Sequence, residues 1–104
     1  MKALIAPHAG LEFSGAVQAG AYANVDPTRT RTVFILGPSH HTGSQSCSLT
    51  RAEECETPLG DLMVDTEIVV KLRATKKFTE FSRSNDELEH SIEMHLPMLK
   101  HVLG

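Results

Sequence analysis

The sequence has few of the features that mark secreted or membrane proteins. Its two cysteines, Cys47 and Cys55, form neither a C-x-x-C pair nor a disulfide framework. Free thiols are typical of a reducing compartment, so we expect a cytoplasmic protein, with the nucleus as a second location. The apolar run at the amino terminus is too short for a signal-peptide core, and no run reaches the length of a membrane span.

Positive charge is also scarce. The chain has 10 basic and 13 acidic residues, and its longest basic run is Lys76-Lys77. This pattern lacks the electrostatic footprint of a protein that binds DNA or RNA. We therefore predict no nucleic-acid partner and no membrane insertion.

Several common catalytic motifs are missing. The sequence contains no P-loop, no G-x-G-x-x-G loop, no G-x-S-x-G elbow and no H-E-x-x-H helix. These absences argue against the nucleotide-binding, hydrolase and zinc-protease classes that these motifs mark.

Two short apolar runs, 3–6 and 33–36, predict strands buried on both faces of a parallel sheet. Between them Ser14 is a candidate N-cap for a helix that runs to about Asn24. The order strand, helix, strand predicts one βαβ unit with parallel strands. We therefore expect an α/β fold, with a mixed or parallel sheet flanked by helices. Because two strands make no stable parallel sheet, we expect residues 1–104 to be part of a larger domain.

The second half of the chain has weaker signals. A strand is predicted at 46–49, and the stretch from Thr42 to Asp65 is expected to form a small hairpin or an irregular excursion. A helix of about Thr66 to Thr75 follows, which Asp65 is predicted to cap. A short extended piece is expected at 78–81. A last helix is predicted to start near Glu87, with a bend or a new turn at Pro97.

The most informative pair of residues is His8 and His40, because each follows one of the apolar runs. In open α/β sheets ligands bind beyond the carboxyl ends of the strands, where two neutral imidazoles make half of a metal site. The alternative is that both are hydrogen-bonded loop residues. Ser39 either donates to a ligand or satisfies the turn. His41 is either a candidate catalytic or supporting group or a solvated neighbour with no role.

A second polar cluster covers residues 86–95. Glu89 and Glu93 are four residues apart and are predicted on one helix face, with His90 three residues before Glu93. A histidine and a carboxylate at that spacing can share a metal ion or a proton. The alternative is a solvated first turn, in which the helix dipole favours acidic residues. Cys47 is either a further ligand or a small core residue.

Five motifs together resemble the Memo (mediator of cell motility) family. They occur in order along nearly the whole chain: APHAG at 6–10, VDP at 25–27, FILGPSHH at 34–41, TPLGDL at 57–62 and EHSIEMHLP at 89–97. The resemblance implies a mixed-sheet fold similar to the class III extradiol non-haem iron dioxygenases. It also implies that residues 1–104 are a partial Memo-like domain whose C-terminal half lies outside this chain.

The resemblance further implies a metal site of copper or iron that contains His8 and His40. The family's third ligand, a cysteine, and its candidate acid/base histidine would lie beyond Gly104, and neither Cys47 nor Cys55 matches that cysteine. With two ligands, residues 1–104 alone are expected to bind metal weakly.

Two functions follow from the resemblance. The first is a metal-dependent redox role, which leaves open whether the protein is an oxidoreductase or dioxygenase-like enzyme, because a fold does not transfer its chemistry. The alternative is a non-enzymatic signalling protein in cell motility, whose pocket binds a peptide or phosphopeptide.

Overall fold

The computed structural model describes residues 2–40 and 46–104. These ranges contain four helices, one 3-10 helix and two two-stranded sheets, joined by turns and coil. In chain order the elements are α1 (Leu11–Tyr22), β1 (Ser48–Leu49), β2 (Glu54–Thr57), β3 (Gly60–Met63), α2 (Thr66–Ala74), β4 (Thr79–Glu80), α3 (Arg83–Leu88), the 3-10 helix (Glu93–His95) and α4 (Leu96–Leu103). A mixed α/β class is therefore confirmed, whereas the dioxygenase-like architecture stays a prediction. No described helix has the length and apolar character needed to cross a membrane.

The small apolar core lies around α4, which contacts both α1 and the β2–β3 hairpin. Leu96 and Leu99 are buried on α4, and Tyr22 of α1 is buried with them. Pro97 lies in the first turn of α4. A proline is tolerated there because the first turn of a helix has no partner for its N–H groups. The prediction that Pro97 begins a new turn is thereby confirmed.

The expected hairpin is also confirmed, as the antiparallel pair β2–β3. Cys55 lies opposite Leu62, and both are half-buried, whereas their neighbours along each strand are exposed. The pair closes at Thr57 and Gly60, and Gly60 has a φ of +124°. Only glycine adopts that backbone angle without strain, which explains why the turn contains it.

Helix α2 begins at the residue that the sequence predicts, Thr66, and its N-cap is Asp65. The Asp65 carboxylate accepts a hydrogen bond from the Ile68 N–H at 3.1 Å, as the capping prediction requires. On either side of the hairpin and α2, strands β1 and β4 pair in parallel, with Ser48 opposite Thr79. The described parallel pairing therefore lies at these strands and not in the predicted βαβ unit.

The two apolar runs predicted as neighbouring buried strands are coil, so that prediction is wrong. Ile5 is 98% exposed and Leu36 is 87% exposed. A strand exists through its ladder of backbone hydrogen bonds, and within 2–40 and 46–104 no strand lies beside either run. Apolar content alone could not reveal that missing partner.

Helix α1 begins at Leu11, and its N-cap is Gly10, four residues before the predicted N-cap Ser14. Ser14 is instead buried inside the helix, where its hydroxyl donates to the Ala9 carbonyl at 2.8 Å. One turn later, the buried amide of Gln18 donates to the Pro7 carbonyl at 2.9 Å. The polar face of α1 thus holds the backbone on both sides of His8.

A hydrogen bond between Tyr22 and His95 connects α1 to the 3-10 helix. The Tyr22 hydroxyl lies 2.8 Å from His95 Nδ1. Burial raises the pKa of Tyr22, and burial followed by the charge of His8 lowers the pKa of His95. Both shifts favour a hydroxyl that donates and a neutral imidazole that accepts.

The lowered pKa of His95 predicts a loss of stability on the acid side. The unfolded chain takes up this proton near the ordinary histidine pKa of about 6.5, whereas the folded chain resists it to lower pH. The contribution of neutral His95 to the free energy of unfolding should therefore have its complete value above about pH 6.5. It should be lost as the pH falls through the lowered pKa of His95. Urea unfolding at a series of pH values measures this.

The variant His95→Gln should remove this decline, whereas the exposed His101→Gln should keep it. Tyr22→Phe should cost about 1 kcal/mol at neutral pH, the usual contribution of one hydrogen bond. An acid-side decline of equal size in His95→Gln and wild type would contradict the assignment.

Candidate metal centre

Three imidazole rings come together, from His8, His40 and His90. One ring nitrogen from each lies within 4.8 Å of those of the other two. The His40 and His90 rings are stacked, with centroids 4.1 Å apart and planes inclined by 22°. The His8 ring lies 5.3 Å from the ring of His40 and 6.1 Å from that of His90. The sequence suggested that the imidazoles of His8 and His40 lie close together. The structure places them together and adds the imidazole of His90.

Coil and turn segments hold the three histidines, and no pair of neighbouring strands does so. His8 lies in the coil before α1, His40 lies in the irregular segment 31–40, and His90 lies between α3 and the 3-10 helix. Sequence reasoning expected His8 and His40 to meet at adjacent strand ends. They meet because the segments around them pack against α1 and against residues 89–91.

Glu89 is the buried anion beside this cluster, with only 6% of its surface exposed. Its Oε2 accepts the backbone N–H of His40 at 2.6 Å, and its Oε1 lies 2.7 Å from His40 Nδ1. Oε1 also accepts the backbone N–H groups of His90 at 3.0 Å and Ser91 at 3.1 Å. Burial raises the pKa of Glu89, but the hydrogen bonds from His40 and Ser91 and the charge of His40 lower it to about 2. Glu89 is therefore ionised at neutral pH.

The contact with Glu89 assigns the tautomer of His40. An ionised carboxylate only accepts hydrogen bonds, so Nδ1 of His40 carries the proton that it donates. In the neutral ring the lone pair is then on Nε2. Metal-binding histidines are commonly held in this way, with one ring N–H on a carboxylate and the other nitrogen on the metal.

The spacing of the three rings fits a transition-metal ion after a small inward movement. Imidazole nitrogens bind such ions at about 2.1 Å, so two ligands of one ion lie at most about 4.2 Å apart. The nitrogens of His8, His40 and His90 lie within 4.8 Å. The remaining difference of about 0.6 Å is within reach of small side-chain rotations. Residues of this donor type at this spacing fit a bound metal ion.

The other predicted residues lie around this cluster or outside it. Ser39 is exposed and lines a cleft of about 370 Å³ next to Glu89, and Cys47 lines the same cleft. Neither Cys47 nor Glu93 belongs to the three-histidine cluster, and Glu93 is exposed at the start of the 3-10 helix. His41 lies outside the described residues.

The prediction that Glu89 and Glu93 share one helix face is wrong. Helix α3 begins after Ser82, whose hydroxyl caps it, and it ends at Leu88. Glu89 is extended, and its carboxylate bonds the two N–H groups that follow it in the chain. Such a local side-chain bond competes with helical hydrogen bonding and turns the chain at this point. The serine at position 82 was the available signal for the earlier helix.

Comparisons with known proteins identify one family along the whole chain. The family model described as "Memo-like protein" matches residues 1–104. The chain is 53% identical to "Protein MEMO1" of Danio rerio over 96 residues and 50% identical to that of Homo sapiens over 96 residues. Each match covers 92% of this chain and 32% of the relative. "Protein memo-1 homolog" of Caenorhabditis elegans is 46% identical over 103 residues, which is 99% of this chain and 29% of that relative. The chain thus spans about a third of the length of these curated relatives.

Gly37 permits the close approach of the segment before His40 to the turn that holds Glu89 and His90. A Cβ at position 37 would lie 2.6 Å from Ser91 Oγ and 3.2 Å from Ile92 Cγ1. Ser91 is 1% exposed, and its hydroxyl donates to the Pro38 carbonyl at 2.7 Å. A larger residue at position 37 would therefore push the two segments apart.

We expect Gly37→Ala to lower the free energy of unfolding by about 1–3 kcal/mol, the usual cost of overpacking. Ser91→Gly removes the atoms nearest the new methyl group, so Gly37→Ala should cost less in that background. A double-mutant cycle by urea unfolding measures this coupling.

The control is Gly20→Ala on α1, where an added Cβ has nothing within 4 Å. Since alanine is the better helix former, Gly20→Ala should stabilise by about 0.5–1 kcal/mol. Additive effects of Gly37→Ala and Ser91→Gly would contradict the predicted contact.

Proposed function

The chain belongs to the Memo family, and on that premise we propose that it binds a redox-active metal ion, copper or iron, through His8, His40 and His90. The observation that supports the proposal is the convergence of three ring nitrogens within 4.8 Å. The orientation of His40 by Glu89 adds to it, because it directs the lone pair of the ring to Nε2. We propose the redox role for the whole protein, because this chain spans about a third of the length of its curated relatives.

The donor set decides which ions are considered. Neutral imidazoles suit copper, iron and zinc, and copper(II) binds such sites more tightly than iron(II). The family resemblance implies a cysteine ligand from beyond Gly104, and a thiolate would favour copper further. When bound, copper or iron would supply a centre that gains and loses one electron. This chain's residues would hold the ion by three rings and keep His40 in the required tautomer.

The setting we propose for this activity is the cytoplasm, with the nucleus as a second location. Cys47 and Cys55 are free thiols. Cytosolic and nuclear proteins keep their cysteines in that form, because the glutathione and thioredoxin systems reduce disulfides there.

The first test is metal binding. The protein, prepared without metal and kept anaerobic, should bind one equivalent of copper or iron, measured by titration and by elemental analysis. His8→Ala, His40→Ala and His90→Ala should each lower the affinity by at least about tenfold, since removing even a residue that only supports a ligand costs 10–100-fold. The expectation of weak binding rested on two ligands, and His90 supplies a third.

His101→Ala is the matched control, because His101 is an exposed histidine on α4. It should bind metal like the wild type. A protein that took up zinc but neither copper nor iron would contradict the redox role. If His90→Ala kept its metal affinity while His8→Ala and His40→Ala lost theirs, the third ligand would be a residue beyond Gly104 and not His90.

A peptide pocket is the second candidate function, in line with a signalling role in cell motility. The observation in its favour is the cleft of about 370 Å³. Its described lining is largely apolar, with Ile35, Leu36 and Phe81 among its residues and no lysine or arginine. An unphosphorylated peptide therefore suits it better than a phosphopeptide, which is usually bound by basic side chains.

Partner capture separates the two functions. The protein and its His8→Ala/His40→Ala double variant should be compared by pull-down from cell extract and by metal content. Partners that still bind the double variant after it has lost its metal would indicate that partner binding does not require the metal centre. Partners and metal lost together would indicate that one site serves both.

A further inference from the structure

We propose that Glu89 is the positioning residue of this centre: it holds His40 in the Nδ1–H tautomer and fixes the backbone of both His40 and His90. The part of the inference that concerns metal rests on the proposed function. The part that concerns the tautomer applies to the metal-free protein and can be tested without metal.

Glu89 contacts His40 through both of its carboxylate oxygens. The backbone N–H of His40 donates to Oε2 at 2.6 Å, and its ring Nδ1 lies 2.7 Å from Oε1. One residue therefore contacts both oxygens of one carboxylate, through its main chain and through its ring. Two such anchors restrict rotation about both side-chain torsions of His40, so the direction in which Nε2 points is set.

The same carboxylate also holds the segment that carries His90, on the other side of the cluster. Oε1 accepts the N–H of His90 at 3.0 Å and that of Ser91 at 3.1 Å. The segments that carry His40 and His90 are thus joined at one group, although 49 residues separate His40 from Glu89. This junction accounts for the stacking of their rings at a centroid distance of 4.1 Å.

The contacts and the position of Glu89 disfavour a direct ligand role. Its Oε1 accepts three N–H groups and its Oε2 accepts one, so a metal ion at Oε1 would displace a donor inside a buried site, where an unpaired polar group is costly. Among the described residues, the ligand atoms that lie within 4.8 Å of one another belong to His8, His40 and His90, and Glu89 is not one of this group. Glu89 therefore acts through the histidines.

The tautomer matters because it decides which nitrogen can bind metal. A histidine in water prefers the proton on Nε2, which places the lone pair on Nδ1. At His40 that lone pair would face the Glu89 carboxylate at 2.7 Å and repel it. The buried anion thus reverses the ordinary preference and directs the lone pair away from itself.

The first experiment measures the tautomer in the metal-free protein by 15N NMR of its imidazoles, at an alkaline pH at which ordinary histidines are neutral. His40→Gln identifies the signal of His40 by its loss. In the wild type, Nδ1 of His40 should be protonated and Nε2 should not. A wild-type His40 with its proton on Nε2 would overturn the inference, whether or not any variant folds.

Glu89→Gln then tests the cause. In an amide one of the two carboxylate oxygens is replaced by an NH2 group, which donates, so the ring and the backbone N–H of His40 no longer each have an acceptor oxygen of their own. The His40 signal should move toward the Nε2–H form. Glu93→Gln is the matched control, because Glu93 is an exposed acid four residues further on, and it should leave the signal unchanged. A His40 signal that is the same in Glu89→Gln and wild type would contradict the role of Glu89.

The second experiment measures copper affinity in the same proteins. Glu89→Gln should bind about 10–100-fold more weakly than wild type, as expected for a residue that orients a ligand, whereas Glu93→Gln should bind equally well. A wild type without metal affinity would refute the proposed function and leave the tautomer result standing. Metal affinity that is unchanged in Glu89→Gln would refute the positioning role and leave the proposed function standing.

Discussion

The buried carboxylate of Glu89 is the group on which the arrangement of the candidate site depends. Removing a charge from water is costly unless hydrogen bonds replace the solvent, and here one ring and three backbone N–H groups do so. These bonds keep the pKa of Glu89 at about 2 although burial raises it. They also connect two segments that are distant in sequence, so the anion that costs energy to bury is the one that brings His40 and His90 together.

Polar contacts of the same kind hold the rest of the site. Tyr22, Leu96 and Leu99 are the buried apolar residues of the described ranges, whereas Gln18, Ser91 and other polar groups are buried with them. Gln18 secures the segment before His8, and Ser91 secures the segment before His40. Buried polar networks are sensitive to the loss of any member, because an unpaired group is expensive in a poorly solvated interior. The position of the histidines therefore depends on a small number of hydrogen bonds.

Local signals predicted the elements whose causes are local. Asp65 caps α2, and the turn with Gly60 closes the hairpin, because a cap or a turn needs only residues close in sequence. The runs 3–6 and 33–36 were predicted wrongly, since a strand requires a neighbour that an apolar run does not reveal. The turn at Glu89 was missed for a related reason. Helical spacing was present, but the carboxylate bonds its own following backbone and His40 instead.

The sequence alone determined the chemical types available to the site: imidazoles at positions 8 and 40, an acidic and histidine-rich motif at 89–97, and the motifs of the Memo family. These follow from residue identity and order, which folding does not alter. Only the tertiary structure decided that His90 joins the pair, that Glu93 stays outside, and that Glu89 contacts the ring of His40. Those outcomes depend on contacts across 49 residues of chain. Hydrogen-bond geometry in the folded state selects such contacts, and spacing in the sequence does not.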